Sequence, residues 1–276
     1  MKQLVFSVFI CLSGICRIHA HEVPANFEIH RLVAWCIVPF DASERTPEQR
    51  ALMLKELGLR RCAYDWRQKH VPEFEREIMA YKRHGIEFFA FWAEHEKAFA
   101  LFEKHGLRPQ IWRTLNSPKQ GTQQDKISAA TEAMEPLAKR TAELGFPLGL
   151  YNHGGWGGEP ANLVAVCERL HEKGYVHVGI VYNWHHAHDK IAKWPAILSL
   201  IKPYLLCLNI NGMNPGGVPK ILELGKGSHE MNMIEVINQV GYQGPIGILD
   251  HQRERDTREV LKENLDGLRS LIRTKK

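Results

Sequence analysis

The sequence lacks most of the features that would fix a function at once. Cysteine is scarce, with six in 276 residues. No two stand in a CxxC, and their spacings match no zinc motif. Beyond the first 20 residues the cysteines are Cys36, Cys62, Cys167 and Cys207. Three of these, Cys36, Cys62 and Cys207, sit inside apolar runs, so buried free thiols are expected rather than a disulfide frame. Charge of one sign is also missing. Lysine and arginine number 36 against 31 acidic residues, a formal net charge of +5, with no basic run. That argues against nucleic acid as a partner. No later stretch is apolar for long enough to span a bilayer, so no membrane partner is expected. No low-complexity linker interrupts residues 30–273.

The one apolar stretch that stands apart is at the start. MKQLVFSVFICLSGICRIHA has Lys2, an apolar run from Leu4 to Ile15, and a small residue at Ala20. That order is a secretory signal peptide, too short to cross a membrane as a helix. Bulky Ile15 before Cys16 argues against a lipoprotein. The expected result is a periplasmic or secreted protein whose mature domain is 21–276. Losing Lys2 and Arg17 would take the formal charge from +5 to +3.

What is present is a repeated unit. A helix-period segment ends in glycine and a short apolar strand follows, as in KELGLRRCAY, KRHGIEFFAF, EKHGLRPQIW, AELGFPLGLY, HEKGYVHVGIV and NQVGYQGPIGIL. Each glycine suits the left-handed position that closes a helix. In SLIKPYLLCLNI, Pro203 ends the helix instead. Counting LVAWCIVPF first, eight strands are predicted, ending near Phe40, Trp66, Trp92, Leu115, His153, Asn183, Asn211 and Asp250. The helices between them include TPEQRALMLKEL, with Thr46 as N-cap and Pro47 at its first position, and VPEFEREIMAYKRH. Eight strand–helix units in one domain predict a single (βα)8 TIM barrel, of class α/β.

In such a barrel, chemistry belongs at the C-terminal ends of the strands. That is where polar and aromatic residues gather: YDW at 64–66, FWAEHE at 91–96, IWRTLN at 111–116, YNHGGWGG at 151–158, YNWHHAHD at 182–189 and LDHQRERD at 249–256. His153, His185, His186, His188 and His251 fall in these loops, and histidine both takes and gives protons near neutrality. Asp65, Glu94 and Asp250 are the best-placed acids; Asp189 and Asp256 read as helix-start residues. Asn152, Asn183, Asn209 and Asn211 suggest a neutral hydrogen-bonding pocket for a polyhydroxylated ligand. Trp156 offers a flat face for a sugar ring, Arg113 joins the binding candidates, and Trp112, inside a strand, reads as core. The glycines of GGWGG form no phosphate-loop motif.

These strand ends bear a resemblance. NHGG after the fifth strand, NWHH after the sixth, LNINGM after the seventh and an acid after the eighth are similar to the xylose isomerase-like barrel superfamily, over most of 30–270. That family includes sugar phosphate isomerases/epimerases and endonuclease IV-like proteins. The resemblance implies a divalent metal held by Glu, Asp, His and Glu at the ends of the fifth to eighth strands. This chain has Tyr151, Asn183, Asn209 and Asp250 there, with His186 retained. Two amides, a phenol and one carboxylate suit Mn or Mg poorly. A rebuilt site for Mn, Mg or Zn would have to use His153, His186 and Asp250, with His185 as an alternative ligand.

The resemblance also implies proton abstraction beside a carbonyl. His153 or Asp250 is then the expected base, with His186, Tyr151 and the amides donating to the oxygen. Exported barrels of this kind resemble enzymes of 3-keto-sugars and their glycosides, in which the ketone is the electron sink. Three readings stay open. One is an exported carbohydrate isomerase, epimerase or lyase/hydratase. The second is a metal-dependent sugar isomerase/epimerase with rebuilt ligands. The third is a sugar-binding barrel without catalysis. A nuclease is not supported, since no basic groove is apparent.

Overall fold

The computed structural model describes residues 24–273, so the leader expected at 1–20 lies outside the described residues. Eight parallel strands close into one barrel, each paired with its sequence neighbours and the first with the last. They are β1 Val33–Trp35, β2 Arg61–Asp65, β3 Glu87–Trp92, β4 Gln110–Thr114, β5 Leu148–Tyr151, β6 Val178–Asn183, β7 Leu205–Ile210 and β8 Ile246–Leu249. The helices are α1 Pro47–Glu56, α2 Phe74–His84, α3 Glu96–Lys104, α4 Gln123–Leu144, α5 Pro160–Glu172, α6 Trp194–Ile201, α7 Glu230–Val240 and α8 Thr257–Arg273. The single (βα)8 barrel read from the sequence is the fold observed.

The local signals act as expected. Gly58, Gly85, Gly106, Gly145, Gly174 and Gly241, the six junction glycines, all have φ between 66° and 93°. A side chain at such a φ would crowd its own backbone, so these positions turn each helix toward its next strand. Thr46 caps α1 through a reciprocal pair with Gln49, with Pro47 just behind it. Seven of the strand ends fall within two residues of expectation. The first does not. LVAWCIVPF is extended only to Trp35, because Cys36 turns left-handed at φ 58°. The helix expected to begin at Val71 starts α-helically at Phe74, after a 3-10 turn over Gln68–Glu73 that contains Pro72. Proline has no N–H to give a helical ladder.

Two concentric cores follow from the alternation of side chains along each strand. Trp35, Ala63, Trp112, Val181, Cys207 and Leu249 fill the bore. Ala34, Tyr64, Leu150, Ile180, Ile210 and Ile248 face the helices. Trp112 is fully buried in the bore, its Nε1 bonded to Gln110 Oε1 at 2.8 Å. Cys36, Cys62, Cys167 and Cys207 are buried and unpaired, as their apolar settings indicated. Among the described residues no helix is long and apolar enough to cross a membrane.

Candidate active site

A cavity of about 450 Å³ opens at the C-terminal ends of the strands. Its base is aromatic. Trp35 stands edge-on to Trp112 at 4.9 Å, and Tyr151 lies 6.1 Å from Trp35 and 6.2 Å from Trp92 between ring centres. Imidazoles form one side. His153 and His186 are 4.4 Å apart, His186 and His185 3.6 Å, and His185 and His251 5.5 Å. His251 stacks on Phe40 at 3.9 Å and is held left-handed at φ 57° beside Cys36, whose carbonyl accepts from its N–H. Arg67, Lys220 and Arg253 also line the cavity, as does one carboxylate, Asp65.

The charge states follow from burial. Desolvation pushes Asp65 up to about 7, opposed first by the positive charge of Arg67. Asp65 is fully buried; its Oδ1 accepts from the Val38 N–H at 3.4 Å, and its Oδ2 has no hydrogen-bond partner. Desolvation, and then the neighbouring imidazole His153 and Lys220, lower His186 to about 3. His251 is lowered to about 4 by burial, then by Arg67 and Lys220. Burial also drives His185 well down. These three imidazoles are therefore neutral near pH 7. Burial raises the Tyr151 phenol, which stays protonated. Asn183 Nδ2 donates to Tyr151 Oη at 2.6 Å, so the phenol's own proton remains available to a ligand.

The structure gathers some of the expected residues and separates others. Tyr151, His153, His185, His186, His251 and Asp65 share the cavity. Asn183 supports it by fixing Tyr151 and accepting from the His185 N–H. Asp250 is placed differently from expectation. Gly247 and Leu249 of β8 face the bore, so Asp250 continues the outward set, where it accepts from Thr257 Oγ1 of α8 at 2.5 Å. Asn152 also points outward and clasps the backbone of Asn183 through both of its amide atoms. Trp156 lies outside the cavity lining, with its Nε1 on Gln123 of α4. Glu94 and Arg113 pair with each other at 2.7 Å, and neither is among the lining residues.

Asn209 and Asn211 are buried but not on the cavity wall. Asn209 reaches across to Gly247, where an added Cβ would meet its Oδ1 at 1.9 Å. Asp256 caps α8 as read, accepting from the Arg258 N–H. His188 anchors a loop, its ring nitrogens 2.9 Å from the carbonyls of Asn214 and Lys220. Arg67, Lys220 and Arg253 were not singled out from the sequence. Arg67 and Arg253 follow the ends of β2 and β8 by two and four positions, which is the signal available for them.

The donor set at the ends of β5 to β8 does not fit a divalent cation. The bore-facing residues there are Tyr151, Asn183, Asn209 and Leu249, all neutral, and the phenol and the Asn183 amide are already bonded to each other. Asp250, required for the rebuilt site with His153 and His186, is turned to α8. Among the described residues no group of three or more His, Cys, Asp or Glu is arranged to hold a metal.

No protein-family model and no curated protein matches the sequence. Solved structures do. The 3-keto-D-glucoside 4-epimerase YcjR from E. coli is 14% identical, with a TM-score of 0.64 over 87% of this chain and 98% of its own. A xylose isomerase domain containing protein from Salmonella typhimurium is 12% identical, with a TM-score of 0.67 over 89% and 98%. An IolI protein with a bound zinc atom is 11% identical, with a TM-score of 0.67 over 88% and 98%. At these identities the likeness is one of architecture: the chain has the fold of the xylose isomerase-like barrels.

Proposed function

We propose that the chain is an exported enzyme that removes a proton beside the carbonyl of a sugar or 3-keto-sugar, completing the reaction as epimerisation, isomerisation, elimination or hydration. The observation that carries this reading is Asp65. Among the described residues it is the one carboxylate lining the cavity, it is fully buried, and its Oδ2 has no hydrogen-bond partner there. A base held near neutrality is matched to proton transfer at neutral pH.

Asp65 as carboxylate takes the proton from the carbon next to the carbonyl. The C–H pair becomes the new C=C bond, and the carbonyl π pair moves to oxygen. The Tyr151 O–H donates to that oxygen. His153, exposed, and His186 beside it relay a second proton from water, one nitrogen accepting as the other donates, and the hydroxide left behind takes the proton back from Asp65 through solvent. Delivered to the opposite face of the carbon, that proton gives the epimer. Where the C1 substituent leaves with its bonding pair, the same relay protonates the departing oxygen. One structural neighbour is a 3-keto-D-glucoside 4-epimerase, whose name places a ketone next to the carbon it inverts.

The test is solvent exchange. Incubated with 3-keto-glucosides in D2O, the protein is expected to place deuterium on the carbon beside the ketone, read by NMR. His153→Ala should slow this by about 10²-fold. Binding of these sugars with no exchange and no product would make the chain a sugar-binding barrel and overturn the reading. Export belongs to the same proposal, supported by the Lys2, apolar run and Ala20 order. N-terminal sequencing of the mature protein should begin at His21; an intact Met1 on exported-fraction protein would contradict it.

A further inference from the structure

Three cations gather at the cavity, and among the described residues Asp65, held near neutrality, is the one acid that lines it with them. Among the described residues, Arg67, Lys220 and Arg253 make no ion pair, although ion pairs are common elsewhere in the fold. A polar cleft of about 760 Å³ adjoins the cavity and shares Arg67 and Arg253 with it. Its acids are mostly committed: Asp41 to Arg45 at 2.7 Å, Glu44 to Lys69 at 3.2 Å, and Glu73 to Arg76 at 3.1 Å. Glu254 alone among them makes no ion pair.

These cations are also held in place. Arg67 Nη1 donates to the Trp66 carbonyl at 2.8 Å, and its guanidinium lies 5.5 Å from the Phe40 ring centre and 5.9 Å from that of Trp92. Arg253 lies over the same Phe40 ring at 5.8 Å. Phe40 thus draws two guanidinium groups together, and most of their N–H donors have no protein acceptor. The loop that carries Lys220 is pinned from below, because a ring nitrogen of His188 sits on the Lys220 carbonyl. Positive charge from Lys220 reaches the imidazoles of His185, His186 and His251.

We infer that the sugar bound here carries an anionic substituent, a carboxylate or a phosphate ester, received by Arg67 and Arg253 with Lys220 as the third cation. The inference rests on the reading of this cavity as a sugar site. An anion at this position compensates charge that the protein leaves open, and a planar guanidinium pairs well with either oxyanion. It also orients the ring: the charged end lies toward the rim cations and the reacting carbons toward Asp65 and the imidazoles.

The experiment is calorimetric titration of the full mature chain with D-glucose, D-glucuronate and D-glucose 6-phosphate in low salt. At least one anionic sugar should bind about tenfold tighter than glucose. Raising the salt should erode that advantage and leave glucose binding unchanged. The doubly substituted Arg253→Gln/Lys220→Gln protein, altered at two exposed side chains, should lose most of the preference and keep its melting temperature. A tighter glucuronate assigns the carboxylate, and a tighter glucose 6-phosphate assigns the phosphate. Equal affinity for all three sugars, or a preference that survives the double substitution, overturns the inference. Anion preference without deuterium exchange would sink the catalytic reading and leave this one standing. Exchange on a neutral 3-keto-glucose as fast as on its uronate would do the reverse.

Discussion

Asp65→Asn is expected to lower kcat/KM for exchange by about 10³-fold, with sugar affinity largely kept. The amide oxygen can still accept from the Val38 N–H, so the change removes the base and little else. The native pH profile should rise as pH passes through about 7, where Asp65 becomes a carboxylate. His186 and His251, lowered to about 3 and 4, stay neutral throughout that range.

The same substitution should move stability the other way. Asp65 is raised from 3.8 to about 7, so the folded protein holds this proton more tightly than the unfolded chain does. Its contribution is fully present below about pH 4 and is lost as pH rises through about 7. Asp65→Asn should therefore leave stability nearly unchanged at pH 4. At pH 8 it should raise stability by on the order of 4 kcal/mol, from 1.36 kcal/mol per pKa unit. Urea denaturation at the two pH values reads this directly. Exchange at native rates in Asp65→Asn, or no stability gain at pH 8, would remove Asp65 from its assigned place.

The second large effect lies away from the cavity, between α1 and α2. Arg50 Nη1 donates to Glu77 Oε2 at 2.6 Å, with the side chains 5% and 0% exposed, and Arg50 Nη2 donates to the Arg45 carbonyl. Coulombic attraction from Glu77 leads the effects that hold Arg50 protonated against the desolvation of its burial. Glu77→Ala is expected to cost about 3–5 kcal/mol, since it strands a buried guanidinium. Replacing both residues by methionine should recover most of that loss, because an apolar pair has no charge to desolvate. Urea midpoints of the single and double variants measure the difference. A single variant within about 1 kcal/mol of native would show that water reaches Arg50.

The barrel was legible because its punctuation is local. Six glycines at helix ends and short apolar runs between them need no knowledge of the partner strand. The site was legible by position but not by direction. The stretch PIGILD is apolar at both parities, as a strand buried on both faces must be, so nothing in it says whether Asp250 faces the bore or α8. RCAYDW has the same ambiguity, and there the acid turns inward. The relative orientation of Asp65 and Asp250 is set by register around the closed barrel, a long-range property. Arg67, Lys220 and Arg253 escaped notice for another reason. On a loop, a cation that waits for a ligand and one that faces water look alike until its partners are mapped.

The aromatic floor has a kinetic consequence. Trp35, Trp112 and the packed bore beneath them seal the barrel below the cavity. Whatever enters must leave by the same door. If the substrate is split, the fragment nearer the mouth departs first and the ring behind it follows. Product release is then ordered, and the second product to leave should compete with incoming substrate for the empty site while the first does not.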